Sequence, residues 1–213
     1  MSPNFPSFLF ALVLSLLLAP SSLAQRKTLG YNFTLAALNT TLPNANNTGV
    51  PLVLGSAGAI TGASFYITST YASYPYNDYP TLGLVNGALR AYGKDGRWIT
   101  NASAISTGSE MGWVTSSLGG GVETDQYTAL HATRFHRFAS LAVHGQDALW
   151  SLCPSTQFRG KNEVVFNVSS TYQYYPFAVE DCYKVTLQVL PLHRWEDEEE
   201  DEGTTETGTE EST

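Results

Sequence analysis

Between residues 28 and 192 the chain alternates apolar and polar positions in short runs, most of them ended by Gly, Pro or Asn. A period of two sends successive side chains to opposite faces of an extended strand, so these runs predict half-buried β-strands. The clearest pair is Leu82-Gly83-Leu84-Val85 and Ala88-Leu89-Arg90-Ala91-Tyr92, joined by Asn86-Gly87. Both turn residues tolerate positive φ, which predicts a two-residue hairpin with Leu84 opposite Leu89 and Leu82 opposite Ala91. That register collects four apolar side chains on one face, so turn chemistry and hydrophobic pattern agree.

Other runs follow the same logic. Over 183–190, Tyr183, Val185, Leu187 and Val189 are expected inward and Lys184, Thr186 and Gln188 outward. A second hairpin is expected from 139–143 through His144-Gly145-Gln146-Asp147 and back along 148–153. Further strands are expected at 31–38, 50–54, 64–68, 112–115 and 163–169, and no segment sustains the 3.6-residue period of an amphipathic helix. About ten short antiparallel strands define an all-β fold, either a β-sandwich or a closed, barrel-like arrangement. The single-domain β-sandwich is the first reading. A β-trefoil is the alternative, because the two hairpins share a Leu-x-(Leu/Val) pattern, although no third copy is present.

Two segments break the pattern. Residues 8–19 form a nearly unbroken apolar run, too short to span a bilayer, followed by Pro20-Ser21-Ser22-Leu23-Ala24. A break and a small-x-small end after an apolar run is the layout of a secretory signal peptide, with cleavage expected after Ala24, even though no Lys or Arg precedes the run. At the other end, residues 196–211 hold ten of the 19 acidic residues and no basic one. Such a stretch repels itself and has nothing to bury, which predicts a disordered acidic tail. The expected organisation is a signal peptide at 1–24, an all-β globular domain at 25–192 and the tail at 193–213. The net charge of −8 belongs to the tail, so the domain is near neutral. Without a basic stripe no nucleic-acid partner is expected, and no later apolar run suggests a membrane once the leader is removed.

An exported chain meets oxidants and glycosylation machinery, which changes how several residues read. Cys153 and Cys182 are the two cysteines, and in an oxidising compartment one disulfide is expected. Five Asn-x-Ser/Thr sequons stand at Asn32, Asn39, Asn46, Asn101 and Asn167, each a candidate glycan site. Alternation places Asn32 opposite Tyr31, Phe33 and Leu35, and Asn167 opposite Val164, Phe166 and Val168, so both sequons are expected to point to water.

Catalytic signals are sparse. His131 and His136 are five apart, on opposite faces of an extended strand, and with His144 and His193 they form no metal-ligand pattern. No metal or cofactor is expected, and no Gly-x-Ser-x-Gly elbow occurs. Among the carboxylates, Glu110, beside Trp113, and Asp125 are the candidate acidic pair for a glycosidase-like site. Gly119-Gly120-Gly121 reads as a flexible loop. The aromatics carry more information. Tyr71, Tyr74, Tyr76 and Tyr79 cluster in one loop, and Tyr172, Tyr174, Tyr175 and Phe177 in another. Exposed tyrosines offer flat amphipathic area for sugar rings or a protein partner; packed down, they would cap the ends of the sheets.

The order of these features resembles that of fungal secreted cell-wall glycoproteins related to the phialide protein PhiA. The resemblance rests on the leader, the early strand Tyr31-Asn32-Phe33-Thr34-Leu35, the Leu-x-Leu-x-x-Gly-x-Leu segment from Leu82 to Leu89, and Leu149-Trp150-Ser151-Leu152-Cys153-Pro154. It spans about 28–190, with fewer cysteines than that family and an added acidic tail. It implies a fungal source and a secreted or wall-associated protein without established catalytic residues. The expectation is therefore a secreted, N-glycosylated, non-enzymatic protein of the fungal cell surface or wall, whose partners are wall polysaccharide or surface proteins. The alternatives are a carbohydrate-binding module using the Tyr-rich loops and a secreted glycoside hydrolase.

Overall fold

The Asn-Gly hairpin forms in the expected register: β5 (Thr81–Val85) and β6 (Ala88–Tyr92) pair Leu84 with Leu89 and Leu82 with Ala91. Asn86 and Gly87 take φ of 51° and 82°. Gly87 is required for a second reason, since a Cβ there would stand 2.5 Å from the Asp125 carbonyl oxygen. The computed structural model describes residues 25–117, 124–131, 137–155, 160–169 and 176–192. The expected signal peptide at 1–24 and the acidic tail at 193–213 lie outside the described residues, as do Gly119-Gly120-Gly121.

The described chain is all-β, as the alternation predicts, with one short 3-10 turn at Val179–Asp181. Six antiparallel strands close on themselves: β2 (Phe33–Asn39), β3 (Val50–Ile60), β4 (Ala63–Thr70), β12 (Asn162–Phe166), β11 (Trp150–Pro154), β13 (Tyr183–Pro191) and back to β2. Of the two layouts the pattern allows, the closed one is therefore realised. Closure removes the exposed edges that an open sheet would leave.

The other strands branch off where one edge of a barrel strand is shared. β13 lies along β2 on one side, and on the other meets β11 near Tyr183–Lys184 and β10 (Ala139–Val143) near Gln188–Val189. Beyond β10 come β9 (Tyr127–Leu130) and β1 (Gln25–Arg26). The start of β2 leads through β5 and β6 to β7 (Trp98–Asn101), and β8 (Gly112–Ser116) runs along β4.

This sharing corrects the second hairpin. His144 and Gly145 do make a left-handed turn, φ 53° and 74°, closed by the Val143 and Gln146 backbones. The strands on either side then separate, because β10 and β11 pair with different stretches of β13 and not with each other.

Inward positions of the barrel build the core from Phe33, Leu35, Leu52, Leu54, Trp150, Leu152, Val164, Phe166, Val185, Leu187 and Val189. The Trp150 ring meets Phe166 edge-on at 5.0 Å, and its indole N–H donates to the Leu141 carbonyl at 2.9 Å. Tyr183 packs against this core only partly buried. Gln188, expected outward, is buried because its side chain faces the Asn47 and Thr48 carbonyls of the 40–49 loop.

A smaller apolar cluster lies on the outer face of β11 and β12. It contains Cys153, Val165 and Phe177, with Val168, Val179 and Cys182 against them. Val168 joins Val165 there, and not Val164 and Phe166 as alternation suggested, because Asn167 takes φ 48° and ends the strand. The Cys153–Cys182 disulfide forms as expected, with Cα atoms 4.2 Å apart, and ties β11 to the residue preceding β13.

Candidate functional site

The loop after β4 is fastened to the barrel by one serine. Ser73 Oγ lies 3.1 Å from Ser69 Oγ on β4 and accepts the Asn162 backbone N–H on β12 at 3.1 Å. Ser69 Oγ in turn donates to the Asn162 carbonyl at 2.6 Å. Fixed this way, the loop lays Tyr74 over Lys161, whose ammonium stands 4.9 Å from the ring centroid and donates to the Ser56 carbonyl. Gly55 makes the approach feasible, since a Cβ there would crowd the Lys161 stem at 3.2 Å and Ser69 Cβ at 3.3 Å.

Between loop and barrel a cleft of about 600 Å³ opens, walled by Tyr74, Pro75 and Tyr76 and floored by Lys161. Its far wall is Ser56, Ala57 and Gly58, where a bulge in β3 shifts the register against β4. Bulges re-aim strands beside binding sites in just this way. The Tyr74 and Tyr76 rings lie 5.2 Å apart, tilted by 59°.

The four tyrosines of this loop divide. Tyr76, 63% exposed, and Tyr71 face solvent, and Tyr74 is half-buried. Tyr79 packs edge-on against Tyr66 at 5.2 Å, and burial pushes its phenol well above the usual range. Tyr79 therefore supports the core, and the other three remain candidates for ligand contact. Tyr172, Tyr174 and Tyr175 lie outside the described residues, and Phe177 is buried in the outer cluster.

On β12, two residues beyond Lys161, stands a group that the sequence reading did not single out. Glu163 on β12 has 0% exposure, and neither carboxylate oxygen is closed by a well-formed hydrogen bond. Burial pushes its carboxyl up to about 8, with the nearby Ser155 hydroxyl opposing the rise and Glu110 reinforcing it. Glu110 is raised by its own burial, and Glu163 is the side chain that acts on it. Sequence reasoning paired Glu110 with Asp125, and the fold corrects this. Asp125 is an exposed residue in a 3.1 Å ion pair with Lys27, which holds its carboxyl below the usual range. A clue was legible in Val164-Val165-Phe166: a continuous apolar run marks a strand covered on both faces, which leaves a preceding glutamate no solvent side.

The sequons also divide. Asn39 and Asn46 each accept, on Oδ1, the hydroxyl and backbone N–H of the Thr two residues on, at 2.8 to 3.1 Å. These Asx turns sit in the loop between β2 and β3, with Asn46 exposed and Asn39 half-buried. Asn32 is exposed as expected. Asn167 is half-buried, and its amide donates to Thr107 Oγ1 at 3.2 Å. Asn101, on β7 and 2% exposed, has no side-chain surface on which to carry a glycan in the folded protein.

His131 and His144 are exposed, His136 and His193 lie outside the described residues, and no cluster of three metal-ligating side chains occurs among the described residues. No described helix is long and apolar enough to cross a membrane. The fold and site thus define a disulfide-bonded, closed six-stranded β-protein with an aromatic surface cleft. Compared with protein-family profiles, characterised proteins and solved structures, the chain finds no match in sequence or fold.

Proposed function

We propose that this is a secreted, N-glycosylated, non-enzymatic protein of the cell surface or wall. The observation that carries the reading is the pair of sequon turns at Asn39, where β2 ends, and Asn46, in the exposed loop that follows, each holding its threonine hydroxyl on the asparagine amide. The disulfide is consistent with it, because such bonds persist in oxidising compartments. A fungal wall as the destination draws on the resemblance to PhiA-related glycoproteins. Against the acidic pair that a hydrolase reading would use, Asp125 is held in an ion pair by Lys27 and Glu110 lies beside Glu163. Fractionation of the producing cells tests the reading, with the protein expected in wall and medium; an intracellular, unmodified protein would refute it.

A specific observation favours carbohydrate binding as the interaction role. Tyr74 and Tyr76 set tilted rings along one wall of an open cleft, which Ser56 and the backbone of 56–58 line as well. Aromatic faces suit the apolar faces of sugar rings, and the polar groups suit their hydroxyls. Tyr74→Ala with Tyr76→Ala should weaken retention on insoluble chitin or β-glucan at least about fivefold, the loss of a hot spot worth ~1 kcal/mol or more. Unchanged retention would remove the cleft from the claim.

A further inference from the structure

The β4–β12 contact is the narrowest seam of the barrel, registered at a single residue pair, Glu163 with Ser69. Beyond that pair the two strands splay, and the segment before β8 runs between them. Thr68 N–H donates to the Met111 carbonyl, Met111 N–H to the Val164 carbonyl, and Phe166 N–H to the Ser109 carbonyl, at 2.8 to 2.9 Å. Glu110 rides on this wedge, opposite Val165, and so on the same face of β12 as Glu163. Two carboxyls thus meet where the barrel is joined by least backbone. The serine that fastens the tyrosine loop spans the same seam, from Ser69 to Asn162.

We propose that a proton held by the Glu163–Glu110 pair closes the β4–β12 seam, and that losing it loosens both the seam and the tyrosine cleft built across it. Two carboxylates side by side, Glu163 fully buried and Glu110 half-buried, repel strongly, whereas a carboxyl beside a carboxylate does not. Among the described residues the compensation is smaller than the effect of burial, and its largest part comes from the Ser155 hydroxyl just after β11. β4 presents Ser69, and β11 presents Cys153, which is in the disulfide. Glu180 and Asp181, on the turn against β11, are exposed. On β12 itself Lys161 favours the ionised form of Glu163, but its effect is smaller than that of burial.

The direction follows from proton counting. The folded protein keeps the Glu163 proton up to about pH 8, whereas a free carboxyl gives it up near 4.5. The folded state therefore binds more protons between those values, and stability, full below the lower one, falls as pH rises through the upper one.

The test is thermal and urea unfolding of the full chain from pH 4.5 to 9.5, for wild type, Glu163→Gln and Glu110→Gln. Wild type should lose on the order of 5–10 °C in Tm across the window. Glu163→Gln, neutral throughout, should lose most of that dependence and exceed wild type at pH 9. Glu110→Gln removes the neighbour that helps raise the Glu163 carboxyl, so the fall should end at lower pH and be smaller than in wild type. Limited proteolysis of the 71–80 loop should rise with pH in wild type and not in Glu163→Gln. A flat wild-type profile overturns the proposal, as does a Glu163→Gln profile parallel to wild type. Should Glu163→Gln fail to fold, an unaltered profile in Glu110→Gln does the same. Because the readout is stability, the result is independent of whether the cleft binds sugar.

Discussion

Trp150→Ala should destabilise the protein by about 3–5 kcal/mol, the range for emptying a large aromatic site in a close-packed core. The side chain is fully buried at the centre of the barrel, edge-on to Phe166, with its indole N–H bonded to the Leu141 carbonyl. Alanine removes the ring contacts and leaves that carbonyl without its donor, and surrounding β-strands tied to two neighbours each have little freedom to collapse into the space. Trp150→Phe keeps most of the ring and loses the hydrogen bond, so it should cost less, about 1–2 kcal/mol. Equilibrium urea unfolding of the three proteins checks the order. A Trp150→Ala protein within 1 kcal/mol of wild type would mean that the barrel interior is not packed as described.

Removing the disulfide should have the next largest effect. The bond joins residues 29 apart, and the chain-entropy model gives roughly 3–4 kcal/mol for a loop of that size. Its position adds to the expectation. β11 and β13 are registered at only two pairs, Ser151 with Lys184 and Leu152 with Tyr183, and the disulfide lies directly beside them. Both cysteines also pack into the outer cluster with Val165 and Phe177. Cys153→Ala with Cys182→Ala should therefore lower stability by the entropic amount plus lost packing, and unfolding of wild type with and without reductant should show a similar gap. Equal stability with and without the bond would contradict the staple.

What the sequence made legible was mostly local. The β5–β6 hairpin could be placed to the residue because Asn86-Gly87 and the alternating leucines specify one register between adjacent strands. The inward face of β13 was readable at Val185, Leu187 and Val189 for the same periodic reason. Gln188 misled because the pattern says which face a residue takes, not what covers that face; the 40–49 loop does so here. Barrel closure was left open between two architectures because it depends on β2 meeting β13 and β4 meeting β12, pairings between distant segments that no local signal encodes. The separation of β10 from β11 is of this kind too, since it is decided by β13 offering each of them part of one edge.

The candidate site divides along the same line. A tyrosine-rich loop was visible in the sequence, yet nothing in its spacing told Tyr79, committed to the core, from Tyr76 in solvent. Glu110 was singled out for its aromatic neighbour, but its partner came from a different part of the chain. The Asn-x-Ser/Thr triplet is blind to burial, which is why Asn101 counted with the others until β7 enclosed it.

Glycopeptide mapping of the protein from its native secretion route tests the central claim most directly, because it reads export and fold in one measurement. The account predicts N-glycans at Asn46, Asn39 and Asn32 and an unmodified Asn101. A chain retained in the cell without glycans would contradict the proposed function, and full occupancy at Asn101 would contradict the barrel packing that buries it.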